Sequence, residues 1–498
     1  MSGNTDKVRI AFVFQVPSFW SSWESLYEAC MQDDRIEARI FWLHGANGDW
    51  FQMYMSEDYL KNENMPYTRF TYDAIMDFSP QYMVYQTPYD KGHRPDMAWT
   101  ARFRRKGIKI VYIPYGIEIS DMKESRVKHF GRSVVLNSFA VYTLSEAMKE
   151  EYNKWCINAE AVRGLGLPKF DGLQKSFSLP QEIRDRAAGR RILLWKVHFP
   201  KTFKEGDVSY QVTPNIEEYL TFAVWLSAQT DLFVIFMPHP KFMDLNTFKG
   251  KRMVGERLIH SLKTNPNVYI DLSDDYRVSL MNADAIIVDR SAIMVEAGMR
   301  DVPTLYMQNE KFEEPMTPPI DRLLNSYKKG TYAEDMIAFY KDVVAGRDEK
   351  KSEREAAFNE VVMHDGRCGE RIKEDLVARA FQKWPARIPP RFKRSDNVIY
   401  FGTGNLFTYF LKQVQSVGDE SRANVLGVAD NDKDKWDTKV FNVPVIRPAD
   451  IPNMDYRYVV ITSEDHYREI YLQLVEELHV PREQIISYDE FIVMMKYE

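Results

Sequence analysis

Two histidines in the middle of the chain each follow an apolar run that is typical of a buried strand. His198 ends LLWKVH, and His239 follows Pro238 in IFMPHP. If both runs are parallel strands, the two rings lie outside the carboxyl ends, where open α/β sheets bind ligands. A histidine there can donate to a phosphate or accept a proton near pH 7. Either ring could instead cap or pack the fold, but two at equivalent strand ends favour a site.

A third strand end carries acidic and hydroxyl groups in VDRSAIMVEAGMR. Asp289 and Ser291 follow the apolar run, and a helix is predicted to begin near Ser291 or Ala292. The free backbone N–H groups of such a helix start would cradle a phosphate. Glu296 lies about one turn further in. Simple capping of the helix by Ser291 is the alternative interpretation.

The first part of the chain offers candidates for the opposite wall of a cleft. In YIPYGIE, Gly116 ends a strand where backbone can approach a ligand closely, with Tyr115 and Glu118 beside it. The stretch QTPYDKGHRP follows another strand end and carries Tyr89, Asp90, His93 and Arg94. Both stretches would face a cleft between two domains, or they are ordinary loops.

These residues need a scaffold of alternating strands and helices, and the apolar pattern predicts one. Strands are predicted over 8–15, 35–43, 82–86, 108–116, 140–144 and 159–166, then over 190–197, 232–239, 268–272, 285–289 and 303–307. Helical stretches between them imply βαβ units and doubly wound sheets. The charged, helix-rich segment 331–384 could supply a helix that crosses back to the first domain.

The sequence predicts three domains of the α/β class. They cover 1–175, 185–384 and 397–498, and the Pro- and Arg-rich stretch 385–396 is the predicted linker to a small, independent Rossmann-like unit. In that last unit FGTGN lacks the third glycine of the dinucleotide fingerprint, because Phe407 stands at its position. We therefore expect no bound NAD and no other cofactor.

The composition excludes several classes of protein. A net charge of −6 argues against broad nucleic-acid binding. Three separated cysteines argue against a disulfide framework and a thiolate zinc site. No signal peptide and no apolar run of about 18 residues is evident, so we expect a cytoplasmic protein. A position at the inner face of the membrane and a homo-oligomer are both compatible with the sequence.

Several segments together resemble one enzyme family. They are QVPSFWSSWESLYEA, YIPYG, GLPKFDGL (166–173), MPHP (237–240) and NADAIIVDRSAIMVEAGMRDVPTLYM. In their order and spacing, residues 8–380 resemble the CDP-glycerol glycerophosphotransferases of teichoic acid and capsule synthesis. The resemblance implies a GT-B-like pair of Rossmann-like domains and a CDP-polyol donor. It also implies transfer of a polyol phosphate to a hydroxyl of a glycan or polyol-phosphate acceptor, with loss of CMP.

Within that resemblance each candidate has an expected place. We expect His198 and His239 to be catalytic, and no divalent metal to be required, because histidine, serine and backbone N–H groups contact the phosphates. The expected donor-binding residues are Pro238, Asp289, Ser291, Ala292 and Glu296, and the expected acceptor-side residues are Tyr89, Tyr115, Gly116 and Glu118.

The chain departs from the family pattern at two positions. The polymerases carry a catalytic histidine in a W-H-G-T-P loop, and the matching loop here is IPYG; the second serine of their D-x-S-S pair is Ala292. The resemblance therefore does not assign the catalytic base. Two other functions stay open, a glycosyltransferase of the same architecture that uses a nucleotide sugar, and a non-catalytic scaffold.

Overall fold

The computed structural model describes residues 7–44, 57–205, 208–273, 275–384, 396–416 and 423–498. Apart from Asp396, the predicted linker lies outside the described residues. Three mainly parallel sheets organise the chain into three α/β units, which we call the first, second and third units. Each sheet contains a point at which its strand order reverses, and ligands of open α/β sheets bind at such points.

The first unit is built on a seven-stranded parallel sheet. Its strands are β1 Val8–Phe14, β2 Ile36–Trp42, β3 Tyr67–Arg69, β4 Tyr82–Tyr85, β5 Lys109–Tyr112, β6 Ser138–Tyr142 and β7 Val162–Arg163. Its helices are α1 Glu24–Met31, α2 Glu57–Asn62, α3 Tyr72–Phe78, α4 Thr100–Arg104, α5 Lys123–Phe130, α6 Ser133–Asn137, α7 Glu146–Trp155 and α8 Pro168–Gly172. The strand order β3-β2-β1-β4-β5-β6-β7 reverses between β1 and β4.

The second unit has a six-stranded parallel sheet and a separate antiparallel hairpin. Its strands are β8 Arg191–Val197, β9 Thr202–Glu205, β10 Val208–Gln211, β11 Leu232–Pro238, β12 Val268–Ile270, β13 Ala285–Val288, β14 Thr304–Met307 and β15 Lys328–Gly330. Its helices are α9 Gln181–Ala187, α10 Ile216–Leu226, α11 Arg252–Thr264, α12 Arg277–Met281, α13 Ile293–Glu296, α14 Pro318–Asn325, α15 Ala333–Val344 and α16 Lys351–Val361. The order β12-β11-β8-β13-β14-β15 reverses between β8 and β13. The β9–β10 hairpin was not predicted from the sequence.

The helix after the second unit, α17 (Cys368–Arg379), crosses back to the first unit. The carboxylate of Asp171 accepts hydrogen bonds from the backbone N–H groups of Cys368 (3.0 Å) and Gly369 (2.7 Å), which caps the start of the helix. At the other end, Lys109 donates to the carbonyls of Arg379 and Ala380. α17, which lies within the segment 331–384, thus contacts the first unit at both of its ends.

The third unit is a smaller sheet with helices. Its strands are β16 Asn397–Phe401, β17 Asn424–Ala429, β18 Lys439–Val440, β19 Val443–Ile446, β20 Tyr458–Ile461 and β21 Ile485–Ser487, and its helices are α18 Asn405–Ser416, α19 Tyr467–Leu472 and α20 Tyr488–Tyr497. The order β18-β19-β17-β16-β20-β21 reverses between β16 and β20. The short strands β18 and β19 are partly buried, and Val445 of β19 belongs to the core of the unit.

The third unit does not stand apart from the first, which corrects the expectation of an independent unit. Trp99, from the first unit, is 2% exposed and belongs to the same apolar cluster as the buried face of α20. The guanidinium of Arg105 forms ion pairs with Glu490 (3.3 Å) and with Glu498. Asn137 donates to Asp489 over 3.0 Å. The two units therefore share a core and a buried charge network.

Candidate functional site

The reversal point of the second sheet places His198 after β8 and Asp289 after β13, side by side. The backbone N–H of His198 donates to one oxygen of Asp289 (2.8 Å), and the Tyr219 hydroxyl donates to the other (2.7 Å). Asp289 is fully buried, and burial raises its pKa, while burial lowers the pKa of neighbouring Lys196. Through its hydrogen bond to the backbone of His198, the buried Asp289 therefore positions the loop that carries this histidine.

The two predicted histidines lie together, with ring centroids 4.7 Å apart. His198 Nδ1 is 2.8 Å from the Phe199 carbonyl oxygen. Since a carbonyl can only accept, Nδ1 carries the proton, and Nε2 of the neutral ring has the lone pair. His239 Nδ1 accepts from the backbone N–H of Lys241 (3.1 Å), so its proton is on Nε2. One ring thus offers an acceptor and the other a donor.

Both rings are held in the neutral form. Burial, with Lys196, Lys241 and Lys201 nearby, lowers the pKa of His239 to about 3. Burial also lowers the pKa of His198, assisted by His239 and Arg290. The cations that disfavour a proton on these rings would equally attract an anionic ligand, which in turn would raise both pKa values. The site is therefore arranged for a bound anion.

A set of cations missed by the sequence analysis surrounds the histidines. The Phe203 ring of the β9–β10 hairpin lies 4.9 Å from the Arg290 guanidinium, 5.1 Å from Lys201 Nζ and 5.6 Å from Lys128 Nζ, each measured to the ring centroid. Lys241 Nζ lies 5.7 Å from the Phe199 ring centroid. Because Lys128 is on α5 of the first unit, this cationic cleft lies between the two units. Little in the sequence indicated this cluster, since its members come from separate segments and Lys128 belongs to the other unit.

A histidine of the first unit also lies on this side of α5. His129 follows Lys128, and burial together with Arg290 and Lys128 lowers its pKa to about 3. The IPYG loop has no histidine, so His129 is the first-unit histidine that the structure brings near Arg290. Its sequence context does not single it out, because His129 lies in the last turn of a charged helix and not at the end of a strand.

The cleft is closed on one side by a direct junction of the two units. The backbone N–H of Asp121 donates to the Pro315 carbonyl (2.8 Å), and the N–H of Thr317 donates to the Ile119 carbonyl (3.0 Å). Glu118 lies beneath this junction, 1% exposed, and accepts hydrogen bonds from the hydroxyls of Tyr152 and Thr143. The expectation that Glu118 faces the cleft is corrected: its carboxylate is used within the fold.

Glu296 is also used within the fold, not on the cleft surface. Lys169 Nζ lies 2.7 Å from Glu296 Oε1 and 2.7 Å from the Tyr115 carbonyl oxygen, and both charged side chains are buried. This ion pair joins α8 of the first unit to α13 of the second. Two residues of the GLPKFDGL segment thus have structural roles. Lys169 pairs with Glu296, and Asp171 caps the start of α17.

The phosphate cradle predicted near Ser291 and Ala292 is less developed than expected. α13 has four residues, and the Ser291 hydroxyl accepts from the backbone N–H of Ile293 (3.3 Å). The helix dipole of so short an element is small, and one of its free N–H groups is already bonded. Ser291 and Ala292 are half-buried beside Arg290, whose Nε donates to Glu314 at 2.7 Å.

On the first unit, an aromatic pair lies beside the open backbone of Gly116. Tyr115 stacks on Phe19 with centroids 4.0 Å apart, and a side chain at Gly116 would meet no atom within 4 Å. Tyr115 and Tyr89 are hydrogen-bonded, and Tyr89 stacks on His93 at 4.3 Å. Tyr89, Tyr115 and Gly116 therefore form one continuous surface, as a ligand-binding wall requires.

Other parts of the predicted site serve the fold. Pro238 is buried at the end of β11. Asp90 and Arg94 form a fully buried pair (3.5 Å). In the part of the chain that the structure describes, no group of three or more His, Cys, Asp or Glu side chains could hold a metal ion. Over the same ranges, no helix is both long and apolar enough to span a bilayer.

Several solved structures have a fold similar to that of this chain. The S. aureus MnaA–UDP co-structure matches with a TM-score of 0.53 and 14% identity, covering 76% of this chain and 99% of that chain. The UDP-GlcNAc 2-epimerase of Neisseria meningitidis bound to UDP-GlcNAc matches with a TM-score of 0.51 and 12% identity, covering 75% and 100%. A variant of the wall teichoic acid polymerase TagF matches with a TM-score of 0.48 and 11% identity, covering 75% and 89%.

The likenesses to the S. aureus and Neisseria meningitidis structures, at low identity, concern the fold. The predicted fold class is confirmed: the chain has a GT-B-like pair of Rossmann-like units and a third small Rossmann-like unit. Residues 394–486, across the third unit, match the family model described as C2185-like, N-terminal. A comparison with characterised protein sequences gave no match.

Proposed function

We propose that the protein is a transferase that moves a polyol phosphate, such as glycerol phosphate, from a CDP-activated donor to a hydroxyl of a surface glycan or polyol-phosphate acceptor. The observation that carries this proposal is the histidine pair, 4.7 Å apart, within a cleft lined by Lys201, Lys241 and Arg290. A diphosphate is the ligand whose charge such a cleft complements. The expectation that the donor is a CDP-polyol comes from the resemblance of residues 8–380 to the CDP-glycerol glycerophosphotransferases.

The reaction forms one P–O bond and breaks another. The acceptor oxygen attacks the β-phosphorus, which carries the polyol, and the bond from that phosphorus to the bridging oxygen breaks. CMP leaves with the bonding electron pair, and the acceptor hydroxyl loses its proton to a base. Catalysis of such a step comes mainly from positioning and from stabilising the charge on the phosphoryl oxygens.

The two tautomers divide these tasks. His239 presents Nε2–H, which can donate to a phosphoryl oxygen, and His198 presents the lone pair on Nε2, which can accept the hydroxyl proton. Since Asp289 bonds the backbone N–H of His198, it keeps the His198 loop in place. We expect the wall of Tyr89, Tyr115 and Gly116 on the first unit to hold the acceptor.

The test is nucleotide release from a panel of donors. The purified protein is incubated with CDP-glycerol, CDP-ribitol, UDP-GlcNAc and a CMP-sugar, with a short soluble acceptor, and the released nucleotides are separated chromatographically. We expect the protein to release CMP from a CDP-polyol, and we expect the rate of release to rise when the acceptor is present. His198→Gln and His239→Gln should each lower turnover by about 10²–10³-fold.

A matched control is His260→Gln, since His260 is an exposed histidine on α11, outside the site. It should leave turnover unchanged. Wild-type turnover in His198→Gln and His239→Gln would remove the pair from the chemistry, and absence of any nucleotide release would favour the scaffold interpretation.

A glycosyltransferase acting on a nucleotide sugar is the second candidate. It is favoured by the fold likeness to proteins whose structures hold UDP and UDP-GlcNAc. The product separates the two functions, because sugar transfer from UDP-GlcNAc releases UDP, whereas polyol-phosphate transfer releases CMP. Release of UDP with no CMP from either CDP-polyol would replace the first proposal by the second.

A further inference from the structure

A cavity of about 260 Å³ lies at the junction of the first and third units. One side is formed by α5 and the end of α7, and the other by the loop after β20 and the start of α19. This volume is near the lower end of the range of about 300–1,000 Å³ typical of ligand pockets, and therefore suits a small ligand. Its charged lining residues are Lys123, Arg126, Arg468, Glu464, Asp465 and Glu469.

The cavity is separate from the cationic cleft, although α5 borders both. Lys123, Arg126 and Val127 line the cavity, at the spacing of one helix face. Lys128 points instead to the Phe203 ring of the second unit, 5.6 Å away. A ligand in the cavity would therefore contact one face of the helix whose other face lines the cleft.

The charge balance of the cavity favours a neutral ligand. Its three cationic and three anionic side chains are paired in part with each other or with close neighbours: Lys123 lies 3.5 Å from Glu469, and Glu464 lies 2.7 Å from Arg132. A phosphate or nucleotide would bring charge that this balanced lining does not compensate. Hydroxyl groups both donate and accept, so they suit a lining of alternating carboxylates and cations.

The apolar part of the lining suits the C–H faces of a sugar ring. Phe130, Trp155 and Tyr467 contribute aromatic rings. Arg126 lies 3.9 Å and Arg468 lies 5.5 Å from the Trp155 ring centroid, so guanidinium groups fix the indole in place and already cover part of its ring. A rigid aromatic side chain beside polar groups is the usual composition of a small-molecule site.

The topology of the third sheet is a second, independent reason to expect a ligand at this cavity. Its strand order reverses between β16 and β20, and the loop after β20 supplies Glu464 and Asp465 to the cavity. Ligands of open α/β sheets bind outside the carboxyl ends of strands at such a reversal. The cavity thus lies beside the expected ligand crevice of the third unit, completed by the first.

We propose that this cavity binds a neutral sugar or polyol unit. The proposal does not depend on the transferase activity. The bound unit belongs either to an acceptor chain or to a free sugar, since both present the same hydroxyls and C–H faces.

Saturation-transfer NMR on the full-length protein tests this with methyl glucoside, N-acetylglucosamine and ribitol as probes and inorganic phosphate as competitor. We expect millimolar binding of at least one neutral probe, unchanged by equimolar phosphate. Val127→Phe fills the cavity and should weaken that binding at least tenfold. Val224→Phe, the same change at a half-exposed valine on α10, is the matched control and should bind as the wild type does.

A second variant is needed in case Val127→Phe loses binding because it misfolds. Glu469→Ala removes a half-exposed acceptor from the lining, leaves the core untouched, and should weaken binding severalfold. A linear trisaccharide of the bound unit distinguishes the sources: tighter binding than the monomer indicates a chain, and equal binding indicates a single captured unit. Absence of binding by every neutral probe, competition by phosphate, or equal binding by Val127→Phe and wild type would overturn the proposal.

Discussion

The crevices of the second and third sheets occupy equivalent places in similar topologies but carry opposite chemistry. In the second, the carboxylate of Asp289 is turned into the fold and cations line the opening. In the third, Asp430 accepts from the backbone N–H of Thr403 (2.9 Å), so a carboxylate occupies the glycine-containing turn where a phosphate would bind. Topology therefore determines where a ligand can bind, and side-chain orientation determines its charge.

The strongest test of this comparison removes the third unit. A chain that ends at residue 384 exposes Trp99 and leaves Arg105 without Glu490 and Glu498. Because the deletion exposes the apolar surface that Trp99 and α20 bury together, we expect the first unit to unfold at a clearly lower temperature and CMP release to be lost. Circular dichroism melting and the nucleotide assay measure both effects.

Arg105→Ala in the full-length chain is the control for that deletion, since it breaks only the ion pairs and should lower the melting temperature less. A truncated protein that melts like the full-length chain and releases CMP would show that the third unit is separable after all.

The two crevices should also differ in how much they contribute to the pH dependence of the free energy of unfolding, and this effect is smaller than that of the deletion. The pKa of His239 is about 3 in the folded protein and about 6.5 in an unfolded chain. Between these values the unfolded chain binds the additional proton, so the free energy of unfolding falls as the pH is lowered from about 6.5. At pH 5 we expect this histidine to account for about 1–2 kcal/mol of that loss.

Urea unfolding at pH 7 and pH 5 measures this loss. His239→Gln should lose less stability between the two pH values than the wild type. His466→Gln, in the third crevice at an exposed position, should lose as much as the wild type. Identical losses in all three proteins would show that the ring of His239 is not held neutral by its surroundings.

Single lysines in the two crevices should differ in their effect on nucleotide binding. Lys201→Ala removes a cation from the second crevice and should weaken CDP binding about tenfold, or about 1.4 kcal/mol. Lys435→Ala removes the lysine 3.6 Å from Asp430 in the third crevice and should leave CDP binding unchanged. Calorimetric titration with CDP decides; a larger effect of Lys435→Ala would place the nucleotide in the third unit.

The smallest effect is expected at Ser291. Its hydroxyl already accepts from the Ile293 N–H, so Ser291→Ala removes a local cap and at most one weak donor. We expect turnover to fall less than about tenfold, well below the effect of His239→Gln. Steady-state kinetics with the best donor provide the measurement, and a loss as large as that of His239→Gln would restore Ser291 as a direct phosphate ligand.

The sequence allowed the fold class and the histidine pair to be predicted, because both depend on local patterns. Apolar runs ended where β8 and β11 end, and that placed His198 and His239 at one sheet edge. The cations were missed, because Lys201 belongs to an unpredicted hairpin and Lys128 comes from the other unit. The partners of Glu296 and Glu118 were also missed, since Lys169 and Tyr152 approach them only through tertiary packing.

The cap that Asp171 places on α17 has a consequence for synthesis of the chain. Asp171 and its partner Cys368 are separated by 197 residues in sequence. On a ribosome that adds about 5–20 residues per second, Asp171 would emerge roughly 10–40 s before α17 exists. During that interval the nascent first unit lacks the helix that covers α1, and the second unit can fold before the first is finished. We therefore expect the nascent chain to need chaperones while residues 172–379 are being translated.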